Sequence, residues 1–460
     1  MPAKTRPSRG SRAARTHPFP SRLHGRQTVP PQMTTIPGSR LSGIPQVRSL
    51  GPDIRRDISV VSSVLPFKVN NYVVDELIDW SAVPDDPIFR LTFPHKDMLP
   101  ADMYDEVAAL QARGLRPAEL RRAVAPMRER LNPHPGDQLT KNVPQDGSGV
   151  VRGLQHKYAE TVLVFPSHGQ TCHAYCGYCF RWAQFVGMPG LKQQVDDNDR
   201  IVDYLRSHRE VSDVLFTGGD PMIMTTDVLR QYVEPLLGPG FEHLRNFRFG
   251  TKALSYWPYR FTTDPDSDDL LRLFEQIVGS GRHVAVMAHF SHARELGTDA
   301  VARAMRRIRD TGAVVRVQAP IVRHVNDNAP AWAEMWRQSV RLGAVPYYMF
   351  VERDTGAREY FALPLAQVVD IYRDAFKQVS GLERTARGPV MSASPGKVAL
   401  DGVADIWGSK AFVCRFLQCR DPDMVGRPFF AEFSDTATWF DDLRPMQGSE
   451  GFPAHQVAAV

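Results

Sequence analysis

The stretch Cys172-His173-Ala174-Tyr175-Cys176-Gly177-Tyr178-Cys179 places three thiols within eight positions, in the spacing C-x3-C-x2-C. Thiolates are the usual protein ligands of iron–sulfur clusters, and a [4Fe–4S] cluster normally takes four of them. Three ligands therefore leave one iron open to another molecule. Structural zinc sites usually pair two C-x2-C halves, and the sequence has no second half. The stretch predicts a [4Fe–4S] cluster on Cys172, Cys176 and Cys179.

From about residue 160 onward, short apolar runs rich in β-branched residues alternate with amphipathic stretches. Six such β–α units imply a parallel sheet with helices outside it. Because no dinucleotide-binding fingerprint is present, we predict an α/β fold with a partial (β/α)6 TIM-type barrel rather than a doubly wound sheet. The predicted strands are 161–165, 211–216, 247–254, 283–290, 314–322 and 345–352. The predicted helices lie near 197–208, 225–237, 267–280, 298–311, 330–342 and 364–379.

In such barrels the chemistry lies at the C-terminal ends of the strands. The cysteines follow the first predicted strand, and Gly218-Gly219-Asp220-Pro221 follows the second. Glycines there would let the backbone approach a ligand closely. His289 and His292 lie at the end of the fourth strand, where a structural role is the more common one for histidine.

The rest of the 460-residue chain divides by composition. Residues 1–55 form a predicted disordered, basic tail, because no acidic residue occurs before Asp53; an organelle transit peptide has a similar composition. A helical region is predicted for 56–152, with helices at 102–113 and from 117 to about 131. The barrel core is predicted for 153–380 and a C-terminal segment for 381–460.

The overall composition argues against nucleic-acid-binding, membrane-spanning and secreted disulfide-rich classes of protein. The net charge of +5 is modest, and a solvated tail explains it without a nucleic-acid partner. No apolar run is long enough to span a membrane. Five cysteines in so long a chain do not indicate a secreted disulfide framework, so we expect a cytoplasmic protein.

The cysteine spacing, with Tyr178 directly before the third cysteine, resembles the signature of the radical S-adenosylmethionine (SAM) superfamily. The resemblance implies that the open iron chelates SAM and that reduction splits SAM into a 5′-deoxyadenosyl radical. It further implies SAM-binding roles for Tyr178, Gly218, Gly219, Asp220 and Gln318.

Within that superfamily, motifs that keep their order over 153–397 resemble the lysine 2,3-aminomutase family. These motifs are Gly153-Leu154-Gln155-His156-Lys157-Tyr158, Phe180-Arg181, His289-Phe290-Ser291-His292, Gln318, Asn326-Asp327 and Pro346-Tyr347-Tyr348. The resemblance implies that SAM and pyridoxal 5′-phosphate (PLP) together move an α-amino group to the β-carbon of an amino acid. It also implies an external one-electron reductant of the flavodoxin or ferredoxin type and a homo-oligomer.

The resemblance identifies Lys397 as the lysine that binds PLP, since it follows Ser380-Gly381 at the family's distance. Lys157 and Tyr158 match residues at the cofactor. The family's glycine run, however, is mostly replaced in Ser392-Ala393-Ser394-Pro395-Gly396, and Thr161 stands where the family has an arginine. A PLP-independent radical SAM enzyme, such as an epimerase or decarboxylase, and a non-catalytic cluster protein therefore stay open as alternatives.

The resemblance also bears on the substrate. Arg181 matches the arginine that holds the substrate carboxylate, and a guanidinium fork suits that group. Arg353 and Val390 occupy the positions of two aspartates that bind the far ammonium of lysine, which favours an acidic amino acid such as glutamate. A one-residue slip would instead place Glu352 or Asp354 there and restore a basic substrate. Cys414 and Cys419 are too few for the family's zinc site, so zinc is not predicted.

Overall fold

The computed structural model describes residues 31–132, 142–188, 190–195 and 197–446, and fifteen strands occur in these ranges. In chain order they are β1 (Thr35–Pro37), β2 (Lys68–Asn70), β3 (Gln145–Asp146), β4 (Gly149–Val150), β5 (Leu154–Tyr158), β6 (Thr161–Val164), β7 (Asp213–Phe216), β8 (Asn246–Thr251), β9 (His283–His289), β10 (Val314–Ile321), β11 (Val345–Val351), β12 (Arg387–Ser392), β13 (Gly396–Ile406), β14 (Ser409–Cys419) and β15 (Pro428–Glu432).

The α-helices of the described residues follow the predicted alternation in the core. They are α1 (Pro45–Arg48), α2 (Pro52–Ser62), α3 (Pro87–Thr92), α4 (Ala101–Ala112), α5 (Pro117–Ala123), α6 (Ala125–Arg130), α7 (Trp182–Phe185), α8 (Asn198–Ser207), α9 (Thr226–Val233), α10 (Ala253–Tyr256), α11 (Ser267–Gly279), α12 (Ala293–Leu296), α13 (Asp299–Asp310), α14 (Ala329–Arg341), α15 (Arg358–Phe361) and α16 (Leu365–Phe376). In the described part of the chain, no helix combines the length and apolar character needed to cross a membrane.

Eleven strands form one sheet in the order β15-β14-β13-β12-β11-β10-β9-β8-β7-β6-β5. Strands β6 to β12 are parallel, whereas β5 and the β13–β15 meander run antiparallel to their neighbours. The six predicted units are β6 to β11 with helices α8, α9, α11, α13, α14 and α16. The predicted partial (β/α)6 barrel is confirmed, with a C-terminal extension that continues its sheet.

Alternation within each strand separates the helix-facing side from the barrel interior. In β8, Phe247 and Phe249 are fully buried in the layer between strands and helices, whereas Arg248 between them is only partly buried and points to the other face. On α13 the buried residues Val301, Met305 and Ile308 recur at helical spacing and pack into the same layer. The apolar core therefore lies outside the barrel wall, and polar side chains occupy the interior.

Side chains join β5 and the residues next to it to the β12–β13 turn and the end of β14. The Lys157 ammonium on β5 donates to the carbonyl of Ala393, in the turn between β12 and β13. Gln418 Nε2 at the end of β14 donates to Glu160 Oε1 over 2.7 Å, and Arg420 donates to the Asn142 side chain. We call this junction the seam. It closes the barrel beside Lys397 without backbone pairing between β5 and the C-terminal strands.

The predicted tail is wrong for residues 31–55. Strand β1 pairs antiparallel with β2, and Ile44 and Val47 are buried in a second apolar cluster with Ile58 and Val61. The prolines that suggested disorder instead lie at the first positions of α1 and α2, where the missing N–H has no helical partner to lose. Residues 1–30 lie outside the described residues.

Two further predictions need correction in detail. The helix predicted from 117 to about 131 is two helices, because Pro126 begins a new one at α6. The stretch Leu154–Tyr158, which precedes the first predicted strand, is itself strand β5. Residues 133–141 and 447–460, at the predicted helix stop and the end of the C-terminal segment, lie outside the described residues.

Candidate functional site

The cysteine loop lies between β6 and α7, at the C-terminal end of the first parallel strand. The N-terminal region holds it there: Tyr175 N donates to Lys68 O over 2.8 Å and Gly177 N to Leu91 O over 2.7 Å. The Lys68 ammonium also donates to Thr171 Oγ1 over 2.5 Å, directly before Cys172. The helical region that precedes the barrel thus forms one side of the cluster site.

The three thiols face one another in a poorly hydrated space. Loss of hydration raises the pKa of Cys172 and Cys176, and together with neighbouring Cys176 it raises that of Cys179 to about 12. Asp220 and the other two cysteines also act to raise the pKa of Cys172. Cys176 Sγ lies 3.1 Å from the Tyr256 hydroxyl. Such thiols ionise only against a bound cation, so iron binding here would release protons.

The spacing of the sulfurs argues against a single metal ion. Among the described residues, only His156, His208 and Glu210 bring three ligand atoms within 4.8 Å of one another. Cys172, Cys176 and Cys179 therefore do not converge on one point as the ligands of one zinc ion would. Ligands placed around a larger multi-iron cluster fit this arrangement.

The Gly218-Gly219 turn packs directly on the start of the cysteine loop. The N–H groups of Gly219 and Asp220 both donate to Gly169 O over 3.0 Å. A Cβ atom on Gly219 would lie 2.4 Å from the backbone nitrogen and oxygen of Thr171. Gly218 adopts a φ of +139°, which residues with a Cβ rarely take. The glycines predicted to bind SAM therefore also position the loop that carries the cysteines.

Asp220 is buried, and the fold occupies both of its carboxylate oxygens. Oδ1 accepts from Met222 N over 2.9 Å and from Thr251 Oγ1 over 2.6 Å, and Oδ2 accepts from Lys252 N over 2.9 Å. Burial alone would raise the pKa of Asp220, but His173 and these donors outweigh it and hold the pKa below its usual value. The carboxylate ties the end of β7 to the end of β8.

The other predicted SAM-binding residues lie nearby. The Tyr178 hydroxyl is 2.9 Å from Ser291 Oγ, and Gln318 Nε2 is 2.9 Å from His289 Nε2. Burial lowers the pKa of His289 to about 4, so the ring is neutral near pH 7 and its Nε2 accepts from the Gln318 amide. His292 has a structural role, because its Nδ1 accepts from Arg294 N at the start of α12.

Sequence reasoning missed a buried ion pair beside this network. Lys252 Nζ lies 2.8 Å from Glu295 Oε1, and the Glu295 side chain has 0% exposure. Lys252 is also 3.3 Å from Ser291 Oγ and its ammonium lies over the Tyr256 ring. Its position directly after β8, at the C-terminal edge of the parallel strands, is the signal that could have found it.

Lys397, the predicted PLP lysine, lies on β13 next to the seam. Its Nζ lies 5.1 Å from the centre of the Tyr348 ring and 5.9 Å from that of Tyr158. Burial, helped by Arg248 and Arg387, lowers the pKa of Lys397 to about 8. The structure thus brings Lys397 and Tyr158 together, and a pKa near 8 leaves a minor neutral fraction of the amine near pH 7.

Lys157, the other residue predicted at the cofactor, is part of the seam, because its ammonium donates to Ala393 O. Burial, followed by the cations Arg420, Arg353 and Lys397, lowers its pKa to about 7. Cys419 Sγ lies 3.4 Å from Pro395 O in the same turn, whereas Cys414 is buried in the core.

Arg181 and Arg353 both approach the ring of Phe180. Their guanidinium carbons lie 5.3 and 5.5 Å from its centre, and Arg181 stacks on Phe165 at 4.2 Å. Burial lowers the pKa of Arg181 to about 10, and nearby Arg353 contributes to this shift in the same direction. Within the described ranges Arg181 forms no ion pair with a carboxylate.

The surroundings of the two side chains decide whether Arg353 or Glu352 faces Arg181. Arg353 interacts electrostatically with Arg181 and Lys157, whereas the charges that act on Glu352 are those of Arg358 and Asp354. Val390 is buried in a small apolar cluster with Tyr348. Arg353, rather than Glu352, is therefore the residue directed towards Arg181.

The partial barrel with its three-cysteine loop has the architecture that the sequence resemblance to radical SAM enzymes implies. No family model matches the chain. It is 28% identical over 408 residues to the "Putative L-lysine 2,3-aminomutase" of Aquifex aeolicus, covering 87% of this chain and 93% of that protein. It is 26% identical over 262 residues to the L-lysine 2,3-aminomutase of Clostridium subterminale, covering 57% and 59%. These relatives confirm the resemblance to the lysine 2,3-aminomutase family.

Comparison with solved structures gives weaker likenesses. A radical SAM methyltransferase from Sphaerobacter thermophilus has a TM-score of 0.36 and 16% identity, over 53% of this chain and 71% of that one. The protein anSMEcpe with bound AdoMet has a TM-score of 0.34 and 10% identity, over 47% and 57%. The fold assignment rests on the strand order, and the chain spans little more than half of the Clostridium enzyme.

Proposed function

We propose that the chain is an amino acid 2,3-aminomutase that acts on an acidic α-amino acid, with glutamate as the first candidate. It would use SAM, a [4Fe–4S] cluster on Cys172, Cys176 and Cys179, and PLP at Lys397. The observation that carries the substrate assignment is the pairing of Arg181 and Arg353 on one aromatic ring, Phe180.

The chain's own side chains fit these groups. When bound, the cluster supplies the electron that splits SAM, and PLP supplies a π-system that delocalises an unpaired electron. Lys397 offers a partly neutral amine, which a covalent bond to a carbonyl carbon requires. Arg181 would hold the substrate carboxylate in a poorly hydrated pocket, where a charged hydrogen bond is stronger than in water.

Two guanidinium groups that repel each other favour a ligand with two negative ends. Arg353 is one of the groups that lower the pKa of Arg181, as expected for two cations within electrostatic range of each other. A substrate with carboxylates at both ends would relieve that repulsion at both arginines. The ammonium of lysine would instead add a third cation beside Arg353. The geometry therefore supports an acidic substrate more strongly than a basic one.

The experiment is an anaerobic assay of the enzyme reconstituted with iron, sulfide and PLP. Glutamate, aspartate, lysine and arginine are each supplied with SAM and dithionite, and β-amino acid products are separated by chromatography. We expect a β-amino product from glutamate and at most a trace from lysine. Turnover of lysine alone would reject the acidic assignment. The control variant Arg384→Gln removes one positive charge from an exposed position outside the site.

One observation favours a second candidate, a radical SAM enzyme that works without PLP. The carbonyl groups of Ala393, Ser394 and Pro395 accept from Lys157 and Arg420, so the turn before Lys397 is bound to the seam. Borohydride treatment after incubation with PLP separates the two candidates. Covalent label on Lys397 supports the aminomutase, whereas 5′-deoxyadenosine formation without any PLP label supports the alternative.

The proposal extends to the partners implied by the resemblance. We propose a flavodoxin or ferredoxin as the electron donor in a cytoplasmic setting, and a homo-oligomeric assembly. Reduction of the reconstituted cluster by each donor, followed by electron paramagnetic resonance, tests the first point. Analytical ultracentrifugation tests the second.

A further inference from the structure

The turn that replaces the family's glycine run offers little to a phosphate group. The Ala393 carbonyl accepts from Lys157, the Ser394 carbonyl accepts from Arg420 Nε over 3.2 Å, and the Pro395 carbonyl accepts from Arg420 N over 3.0 Å. Pro395 has no N–H to donate. The turn therefore offers one N–H fewer than a run without proline, so donors from elsewhere would strengthen an anion site near Lys397.

Arginines on three other strands supply such donors inside the barrel. Arg248 and Arg387 both lower the pKa of Lys397, which places them within electrostatic range of its amine. The guanidinium carbon of Arg387 lies 5.1 Å from the centre of the Tyr348 ring, and Lys397 Nζ lies 5.1 Å from the same centre. Arg387 is therefore close to Lys397 across a shared aromatic ring.

A bulge in β11 places Tyr347 beside Tyr348, and a third arginine, Arg316, lies over the Tyr347 ring. Val317 pairs with Pro346 and Gln318 with Tyr348, so Tyr347 is the extra residue of the bulge. Its ring centre lies 4.3 Å from that of Tyr348. Arg387 and Arg316 both lie over the Tyr347 ring, at 4.9 and 5.1 Å.

The charges around Lys397 do not balance. Asp213 and Glu160 are the acids that act to raise the pKa of Lys397. Two contacts of 2.7 and 2.6 Å bind Asp213 to Arg248, and Glu160 Oε1 accepts from Gln418 Nε2 over 2.7 Å. Neither Arg316 nor Arg387 forms an ion pair with any described residue. Arg387 is exposed at the N-terminal rim of the barrel, so an anion can reach it from solvent.

We propose that Arg387, assisted by Arg316, forms a phosphate subsite that holds the phosphate group of PLP. The proposal rests on the proposed function and specifies how this chain binds the cofactor despite its altered glycine run. Guanidinium groups donate to phosphate in a bidentate fork, and stacking on tyrosine fixes their planes.

The test compares PLP with pyridoxal, which has the same aldehyde but no phosphate. Dissociation constants are measured by the visible absorption of the lysine-bound cofactor in the wild type, Arg387→Gln, Arg316→Gln and the exposed control Arg384→Gln. We expect Arg387→Gln to lose about 10- to 100-fold in affinity for PLP, the range for a charge-assisted hydrogen bond, with no change for pyridoxal. Arg387→Lys should recover part of the loss.

An unchanged ratio of PLP to pyridoxal affinity in Arg387→Gln would overturn the subsite, provided that its thermal unfolding matches the wild type. If the wild type binds neither compound, the PLP part of the proposed function fails, and inorganic phosphate then serves as the probe. A phosphate-dependent rise in the unfolding temperature of the wild type, absent in Arg387→Gln, retains the anion subsite. No rise in either protein rejects it.

Discussion

Replacing Gly219 with alanine should damage the cluster site through contact with backbone atoms. The new Cβ would lie 2.4 Å from both the nitrogen and the oxygen of Thr171 and 2.6 Å from its carbonyl carbon. A backbone cannot move aside as a flexible side chain can, so the loop that begins at Cys172 must shift. Overpacking of this kind costs about 1–3 kcal/mol, and we expect the upper half of that range.

Two measurements separate the effect on stability from the effect on the cluster. Urea unfolding of the iron-free protein gives the change in unfolding free energy, and iron and sulfide analysis after reconstitution gives the cluster content. Gly279→Ala is the matched control, since that glycine ends α11 with no atom within 4 Å of an added Cβ. If Gly219→Ala binds as much iron and unfolds at the same urea concentration as the wild type, the close contact does not position the cysteine loop.

Three further outcomes are expected. Because the folded-state pKa of Lys397 is about 8 against 10.5 for an ordinary lysine, the unfolded chain binds more protons between these values. Stability should therefore rise with pH across that window, and labelling of Lys397 by an amine reagent, mapped by mass spectrometry, should show a midpoint near 8. Arg353→Asp should shift the kcat/KM preference from glutamate towards lysine by at least about tenfold, measured with both substrates in competition. Lys252→Met should lower the unfolding free energy in urea by about 3–5 kcal/mol, because it leaves Glu295 buried without its partner, whereas Arg272→Met in an exposed pair should change it by less than about 0.5 kcal/mol.

The six β–α units were predictable because each short apolar run is followed by an amphipathic stretch of helical length. The strand Leu154–Tyr158 was not, since Gln155, His156 and Lys157 interrupt the apolar pattern and the strand is defined by its pairing with β6. The order in residues 31–55 was missed for a related reason. Its prolines suggested a tail, but burial of Ile44 and Val47 against α2 determines the structure.

The candidate site likewise contains residues whose positions were predictable from the sequence and residues whose positions were not. The positions of the cysteines, Gly219 and Arg181 follow from local spacing, and the structure keeps them together at one edge of the barrel. The seam contact between Lys157 and Ala393 joins residues 236 positions apart, and periodicity carries no information on such a pairing. The grouping of Arg316 with Arg387 depends likewise on the bulge at Tyr347, which no sequence pattern indicated.

Closing the barrel with side chains has a consequence for how the protein can move. Parting β5 from the β12–β13 turn breaks the contacts of Lys157, Gln418 and Arg420 but leaves every main-chain ladder of the sheet intact. The barrel wall can therefore open along the seam, and the enthalpic cost is limited to these few side-chain contacts. Lys397 lies next to the seam, so a bulky aldehyde could reach its amine through the side of the barrel while the cysteine loop keeps its place.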